Sequence, residues 1–284
     1  MKIDSNVENA LIEATRQIAR EEIMPRFRNL SDDQIEAKSR VDDLVTIADK
    51  RTEQRLSEVV TSLLPHAVIV GEEGVASDPS VRDALDDADL AVIIDPVDGT
   101  FNFANGLPLF GVILAIVENG EATSGLIYDP VLDDWVIGRR GGGAWFQSPD
   151  GRRRPLSFNN VPITVADASG LIHSYLFYGD ERRRLFQAMP DFVRTGGLRC
   201  SAHEYRSLAQ SAADFILSPM LTPWDHVAGC LIAEEAGGVA KLLDGTPYRA
   251  GCREGRLLVA RSELLWETAA AHFDDFGIKS ASSP

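Results

Sequence analysis

Leu90-Ala91-Val92-Ile93-Ile94-Asp95-Pro96-Val97-Asp98-Gly99-Thr100-Phe101-Asn102-Phe103 starts as an apolar, β-branched run and passes directly into acid. The run predicts a buried strand over 90–94, and Pro96 stiffens the bend that ends it. Asp95 and Asp98 stand three positions apart where the strand gives out, so the turn folds both carboxylates toward one point. Oxygen-only ligands of this kind suit hard cations, Mg²⁺ above all. Gly99 lets a ligand approach the backbone, and Gly99-Thr100 predicts the opening of a helix, whose free amides suit a phosphate. Asp, Pro and Gly are also ordinary turn residues. Five fixed types at about one in twenty each meet by chance on the order of once in ten thousand chains of this length, which favours the functional reading.

Two further acidic points share this placement. Gly71-Glu72-Glu73 follows the β-type run 67–70, and Trp224-Asp225 stands at the start of a helix over 225–236. Alone, Glu72-Glu73 reads as a solvated surface pair and Asp225 as a helix N-cap. Beside Asp95 and Asp98 they read as one set of carboxylates. Two like charges ~4 Å apart at an effective dielectric near 20 cost roughly 4 kcal/mol, so the set needs divalent cations, or protons, to assemble. The same cations would admit a phosphate dianion to an acidic site.

Around these points the chain alternates. Ser5 with Glu8 reads as a capping box, and Val7, Ala10, Leu11, Ala14 and Ile18 recur at helical spacing, predicting a helix over 5–27. A second helix starts near Thr46, turns Leu56, Val59, Val60 and Leu63 inward, and stops before Pro65. Strands over 109–117, 122–128 and 134–139, joined by Glu118-Asn119-Gly120 and Asp129-Pro130, predict an antiparallel meander. Gly141-Gly142-Gly143 and Asp150-Gly151 close this part. Beyond it come strands over 163–168, 193–198, 214–217, 239–243 and 256–260, with helices over 180–189, from Ser201, over 225–236 and from Ser262. That alternation predicts a layered α/β protein with two subdomains, 1–155 and 156–284, and no flexible linker between them.

The 284 residues carry 28 Lys+Arg against 43 Asp+Glu, a net charge of −15. A surface of that sign repels nucleic-acid backbones and anionic lipid, so neither is expected as a partner. Apolar runs fall short of the ~20 residues of a membrane span, and the N-terminus lacks the apolar core of a signal peptide, so the expected location is the cytoplasm. Cys200, Cys230 and Cys252 form no closely spaced pair, which speaks against disulfides and thiolate zinc.

Asp43-Leu44-Val45-Thr46 with Asp49, Gly71-Glu72-Glu73, the stretch from Asp95 to Phe103, and Trp224-Asp225 followed after eleven residues by Gly237-Gly238 resemble the inositol monophosphatase family in order and spacing. These are Mg²⁺-dependent, lithium-sensitive phosphomonoesterases. The resemblance implies an αβαβα sandwich of the inositol monophosphatase/fructose-bisphosphatase type, commonly a homodimer. It implies that Glu72, Asp95 and the Val97 carbonyl hold a first Mg²⁺, that Asp95, Asp98 and Asp225 hold a second, and that a third leans on Glu72. Thr100 and Asp49 would orient and deprotonate the attacking water. The Gly99 and Thr100 amides would take phosphate oxygens, and Lys38 would stand near the phosphate entrance. Ser201-Ala202 would contact the leaving group, and Asp98 and Asp225 would reach the substrate too. The implied reaction is direct hydrolysis of a small polyol or sugar phosphate, with inositol 1-phosphate as the default.

Ser218 stands where inositol-binding members often carry a glutamate before the Trp-Asp motif. That position leaves histidinol phosphate and fructose 1,6-bisphosphate open as substrates. Phe101-Asn102-Phe103, in place of Lys-Glu-Phe, argues against the nucleotide-bisphosphatase branch. Some relatives act as partners of the transcription machinery, a function of another class in which phosphatase activity would be incidental. His203 and Arg206 read as a solvated helix face, with contact to the substrate as the alternative, and His226 reads as helix packing. His66, His173 and His272 have no partner at metal spacing. Arg152-Arg153-Arg154 and Arg182-Arg183-Arg184 read as solvated charge runs.

Overall fold

The computed structural model describes residues 5–38, 43–159 and 164–279. The side chain of Ser5 in the expected capping box, residue 163 of the expected strand and the tail 280–284 lie outside the described residues. The N-terminal amphipathic segment forms α1 (Ser5–Ile18) and then a π-helical turn over Ala19–Ile23, rather than one helix to residue 27. Pro25, which has no N–H to donate, ends the regular structure there. The apolar face continues through the turn, with Ile18, Ala19 and Ile23 all buried. A short antiparallel pair, β1 (Ile35–Ala37) and β2 (Leu44–Thr46), leads into α2 (Ile47–Leu63).

Next come β3 (Val68–Gly71), α3 (Glu72–Ser77), α4 (Ser80–Asp83), β4 (Leu90–Asp98) and α5 (Thr100–Ala104). The meander follows as β5 (Gly111–Glu118), β6 (Glu121–Asp129), β7 (Asp134–Arg139), β8 (Gly143–Gln147) and β9 (Arg153–Leu156). Among the described residues these strands make one seven-stranded sheet in sequence order, β3 parallel to β4 and the rest antiparallel. The last two strands are an addition to the expected meander. Gly141, Gly143 and Gly151 all adopt positive φ, so the glycine runs expected to close this part are hairpin turns instead.

The second half runs β10 (Ser169–Ile172), α6 (Gly179–Ala188), β11 (Arg194–Gly196), α7 (Ser201–Ala209) and β12 (Phe215–Ser218). It ends with α8 (Pro223–Glu235), β13 (Val239–Leu242), β14 (Leu257–Ala260) and α9 (Glu263–Asp275). The strands form a mixed five-stranded sheet ordered β11-β10-β12-β14-β13. The strand expected over 163–168 begins only at Ser169. Before it, the Thr164 hydroxyl donates to Asp167 at 2.7 Å and the Asp167 amide bonds back to the Thr164 carbonyl, closing a 3₁₀ turn.

Burial stacks these elements as the expected αβαβα sandwich. Leu11, Ile23, Leu56 and Val60 of the N-terminal helical layer pack on Val92, Ile94, Leu114 and Leu126. On the opposite face of that sheet, Ala228, Ile232 and Ala233 of α8 lie between Ile93 and Ile127 below and Ile216 and Val259 above. Leu185 and Phe273 of α6 and α9 cover the outer face of the smaller sheet against Phe215 and Leu258. α8 sits close to the large sheet because two glycines allow it. A Cβ on Gly125 would lie 2.6 Å from the Ala228 carbonyl oxygen, and one on Gly138 would lie 2.9 Å from Ile232 Cα. This central helix carries Asp225 at its start.

Candidate active site

β4 keeps register with β5 through Asp95, opposite Ile113, and then shifts before Asp98, opposite Gly111. The irregularity re-aims the strand end, as β-bulges do. One carboxylate oxygen from each of Asp95, Asp98 and Asp225 lies within 4.8 Å of the others. Burial, then Glu72, Asp98 and Asp225, hold the Asp95 carboxyl well above the usual range. Asp98 is pushed up to about 7 by burial and by Asp225. Burial is also the main reason that Asp225 is raised. Asp95 Oδ1 is buried and meets no hydrogen-bond donor among the described residues. Leaving such an oxygen unpaired is expensive, and a hard divalent cation satisfies it with the ligand type it prefers. The donor set fits the ion expected from the sequence.

The carboxylates are held from the α7 side. Asp98 Oδ2 accepts the Ala202 amide at 2.5 Å and the Cys200 thiol at 3.0 Å. Asp225 is hydrogen-bonded by the hydroxyls of Thr222 and Ser201. Ser201 and Ala202, expected at the leaving group, are thus tied to the acidic cluster, with Ser201 still lining the cavity. Burial and then Asp98 push the Cys200 thiol far up, leaving it a protonated donor rather than a nucleophile. Gly99 has φ +84, and a Cβ there would lie 2.7 Å from the Leu109 carbonyl oxygen. Only glycine meets both demands at low cost.

Asp49 approaches from α2 as the third residue of a capping box with Thr46. Its Oδ2 accepts the Thr46 amide at 2.8 Å and the Thr46 hydroxyl at 2.5 Å. Its Oδ1 lies 3.0 Å from Thr100 Oγ1, which is equally far from the Val97 carbonyl oxygen. Burial pushes Asp49 up to about 6, against the pull of the Thr46 hydrogen bonds. The pair expected to handle a water proton is therefore assembled, and Val97 directs its carbonyl at the same hydroxyl.

Glu72 stands apart from the group of three. Lys38 Nζ lies 2.9 Å from Glu72 Oε1 and 2.6 Å from Glu73 Oε1. Burial opposes the Lys38 charge, but Glu72 and Glu73 raise its pKa well beyond the ordinary value. Burial also raises Glu72 despite Lys38, and Asp225 adds to the rise. Glu73 is pushed up to about 8 by burial and by Glu72. An ammonium thus supplies the positive charge beside Glu72, and a cation bound there would have to share that carboxylate with it.

Several residues here escaped the sequence reading. Glu53, one helical turn beyond Asp49, accepts the Glu73 and Gly74 amides at 2.8 and 2.7 Å and so sets the Gly71-Glu72-Glu73 turn. The helical spacing from Asp49 was the available signal. Ser218 lines the cavity, yet its hydroxyl bonds His173 and Met220. His173 in turn meets the Glu204 carboxylate. The face expected to be solvated is buried. Arg206 is 5% exposed and pairs with Asp134, and His203 Nε2 lies 3.2 Å from the Phe110 carbonyl oxygen. His226 behaves as expected, with both ring nitrogens engaged by Tyr205 and the Met220 carbonyl. The site opens into a cavity of about 690 Å³ that also reaches Phe101, Tyr175 and Trp224.

Residues 4–276 match the inositol monophosphatase family. An inositol-1-monophosphatase of Bacillus subtilis is 33% identical over 75% of this chain and 78% of its own length. A fructose-1,6-bisphosphatase/inositol-1-monophosphatase of Thermotoga maritima is 30% identical over 77% and 78%. A Nus factor SuhB of Vibrio cholerae is 31% identical over 72% and 74%. In three dimensions the inositol monophosphatase of Thermotoga maritima aligns with a TM-score of 0.79 at 23% identity, covering 95% of this chain and 98% of the other.

Proposed function

As a member of the inositol monophosphatase family this chain is a phosphoric monoester hydrolase, and we propose that it cleaves a small polyol or sugar phosphate with the aid of Mg²⁺. The observation that carries this reading is the meeting of Asp95, Asp98 and Asp225, from β4 and α8, within 4.8 Å. Asp95, Asp98, Asp225, the Val97 carbonyl and Glu72 would hold the ions. Bound divalent cations supply the charge that lets these carboxylates ionise together, admits a phosphate dianion to an acidic cavity and acidifies water.

The chain's own groups do the rest. Thr100 Oγ1 accepts the proton of the attacking water while its own proton passes to Asp49 Oδ1, 3.0 Å away. Asp49, held up to about 6 by burial, is basic enough to take it near neutral pH. The Gly99 and Thr100 amides receive the phosphate oxygens. Lys38, at the cavity wall between Glu72 and Glu73, offsets part of their charge and so lowers the repulsion that an incoming anion meets. Ser218 in place of an acidic side chain leaves the alcohol side of the cavity without a free carboxylate at that position, which suits a sugar phosphate as well as an inositol phosphate. The bifunctional name of the Thermotoga maritima relative points the same way.

The test is phosphate release from inositol 1-phosphate, fructose 1,6-bisphosphate and histidinol phosphate, with Mg²⁺ and with chelator. Turnover on at least one of the first two, lost on chelation, is expected. Undiminished turnover in chelator refutes the metal-dependent reading. The working protein is proposed to be a cytoplasmic homodimer, so light scattering should return twice the 31.0 kDa chain mass. No helix among the described residues is long and apolar enough to cross a membrane.

A further inference from the structure

Glu204, His173 and Ser218 form a buried chain at the wall of the same cavity, and the steps above use none of them. Glu204 lies in the first turn of α7, His173 directly follows β10, and Ser218 ends β12. They are 0%, 4% and 0% exposed. His173 Nε2 meets Glu204 Oε2, and His173 Nδ1 lies 3.0 Å from Ser218 Oγ. Glu204 Oε1 accepts the Leu198 amide at 2.7 Å, and Ser218 Oγ lies 3.0 Å from the Met220 carbonyl oxygen. Both ring nitrogens, both carboxylate oxygens and the hydroxyl are engaged. The Ser218 hydroxyl gives its proton to the Met220 carbonyl rather than to His173, so the chain lacks the serine-to-histidine proton path of a hydrolytic triad.

The chain's position gives it a different role. α7 begins with Ser201 and Ala202, whose hydroxyl and amide hold Asp225 and Asp98. Glu204 is two residues further on and fastens the same helical turn to the ends of β10 and β12. Charge-assisted hydrogen bonds in a dry setting are strong and directional. We propose that Glu204 and His173 are positioning residues. Their bond pins the start of α7, and with it the groups that orient Asp98 and Asp225 toward a divalent cation. This rests on the reading of Asp95, Asp98 and Asp225 as a divalent-cation site.

The experiment compares the full-length protein with Glu204→Gln, His173→Gln and the double variant. Mg²⁺ binding is measured by titration calorimetry without substrate, and kcat, KM and thermal midpoint are measured alongside. Loss of groups that orient a metal ligand costs about 10–100-fold in affinity or activity, and each single variant should weaken Mg²⁺ by that factor. The half-saturating Mg²⁺ for turnover should rise in step. The substrate KM at saturating Mg²⁺ should move less than about threefold, because no substrate contact is lost. The double variant should be no weaker than the worse single, since both remove one bond. Folded variants with lowered thermal midpoints but wild-type Mg²⁺ affinity would overturn the proposal, as would additive losses. If the His173 variant does not fold, Glu204→Gln alone carries the test and is held to the same criterion for Mg²⁺ affinity and substrate KM. Wild-type protein that binds Mg²⁺ but hydrolyses no phosphate monoester would sink the proposed substrate class and leave the positioning role standing. Wild-type protein that binds no divalent ion would end both.

Discussion

Asp95 carries the heaviest load of any single residue. It is 2% exposed, has an oxygen with no donor among the described residues, and sits in the field of Glu72, Asp98 and Asp225. Asp95→Asn removes a charge that only a cation can compensate. Activity should fall by about three orders of magnitude or more, as when a group essential to the chemical step is lost. The metal-free protein should at the same time become more stable, seen as a raised thermal midpoint in chelator; a lowered midpoint would contradict the repulsion argument. Protons should do the same work as the substitution. Asp98, at about 7, and Asp49, at about 6, are both raised above their unfolded values near 4. The folded state therefore holds these protons more tightly, so the stabilisation is complete below about pH 4 and is lost as pH climbs through 6 and 7. Urea midpoints in chelator should be lower at about pH 7.5 than at about pH 5, and Mg²⁺ should restore much of the difference at the higher pH.

At the scale of one element, α2 shows how a helix start becomes part of a site. Thr46 caps the helix, and its amide and hydroxyl fix Asp49 Oδ2. Asp49 Oδ1 is left facing Thr100. Thr46→Ala should cost about 1 kcal/mol as a lost cap, measurable by urea unfolding. It should also lower kcat, because Asp49 loses its strongest constraint and one donor that holds its pKa down. A change in stability without any change in kcat or its pH profile would show that the cap serves the helix alone. Glu53, farther along the same helix, repeats the arrangement by holding the Glu73 and Gly74 amides. One helix thus sets two of the turns that face the cavity.

Across the whole molecule, the position of α8 between the two sheets decides whether Asp225 reaches Asp95. The helix approaches β6 closely because Gly125 has no side chain. Gly125→Ala puts a methyl into the Ala228 backbone, and overpacking of this kind costs about 1–3 kcal/mol. The helix should yield by moving off the large sheet, so Mg²⁺ affinity should fall along with stability. Gly120→Ala serves as the control. It faces open space at φ +78, so it should lose about 1 kcal/mol from backbone strain while leaving Mg²⁺ affinity untouched. Equal Mg²⁺ affinities in the two variants would mean that the α8–sheet spacing does not govern the site.

Features with a local cause were already legible in the chain. An apolar run ending in Asp95-Pro96-Val97-Asp98-Gly99-Thr100 reads as a strand, a bend and a helix start, and the alternation of 3.6- and 2-residue periods gives a layered α/β protein, whereas the αβαβα order came from the family resemblance. The three acidic points were legible because each lies at an element end with its own capping or turn chemistry, whereas Asp49 with Thr46 entered through the family resemblance and its capping box emerged in the structure. Local signals failed where the partner is remote. Gly141-Gly142-Gly143 becomes a hairpin only because β8 has β7 to pair with. His203 and Arg206 look like a solvated face until α7 is packed against the Asp129–Asp134 turn. Packing alone put Lys38 between Glu72 and Glu73, where one ammonium offsets part of their charge, and brought Ser201 and Ala202 onto carboxylates. Electrostatics and hydrogen bonding depend on distance in space, and residues one hundred apart in the chain, such as Asp98 and Ala202, acquire that distance only when the layers close.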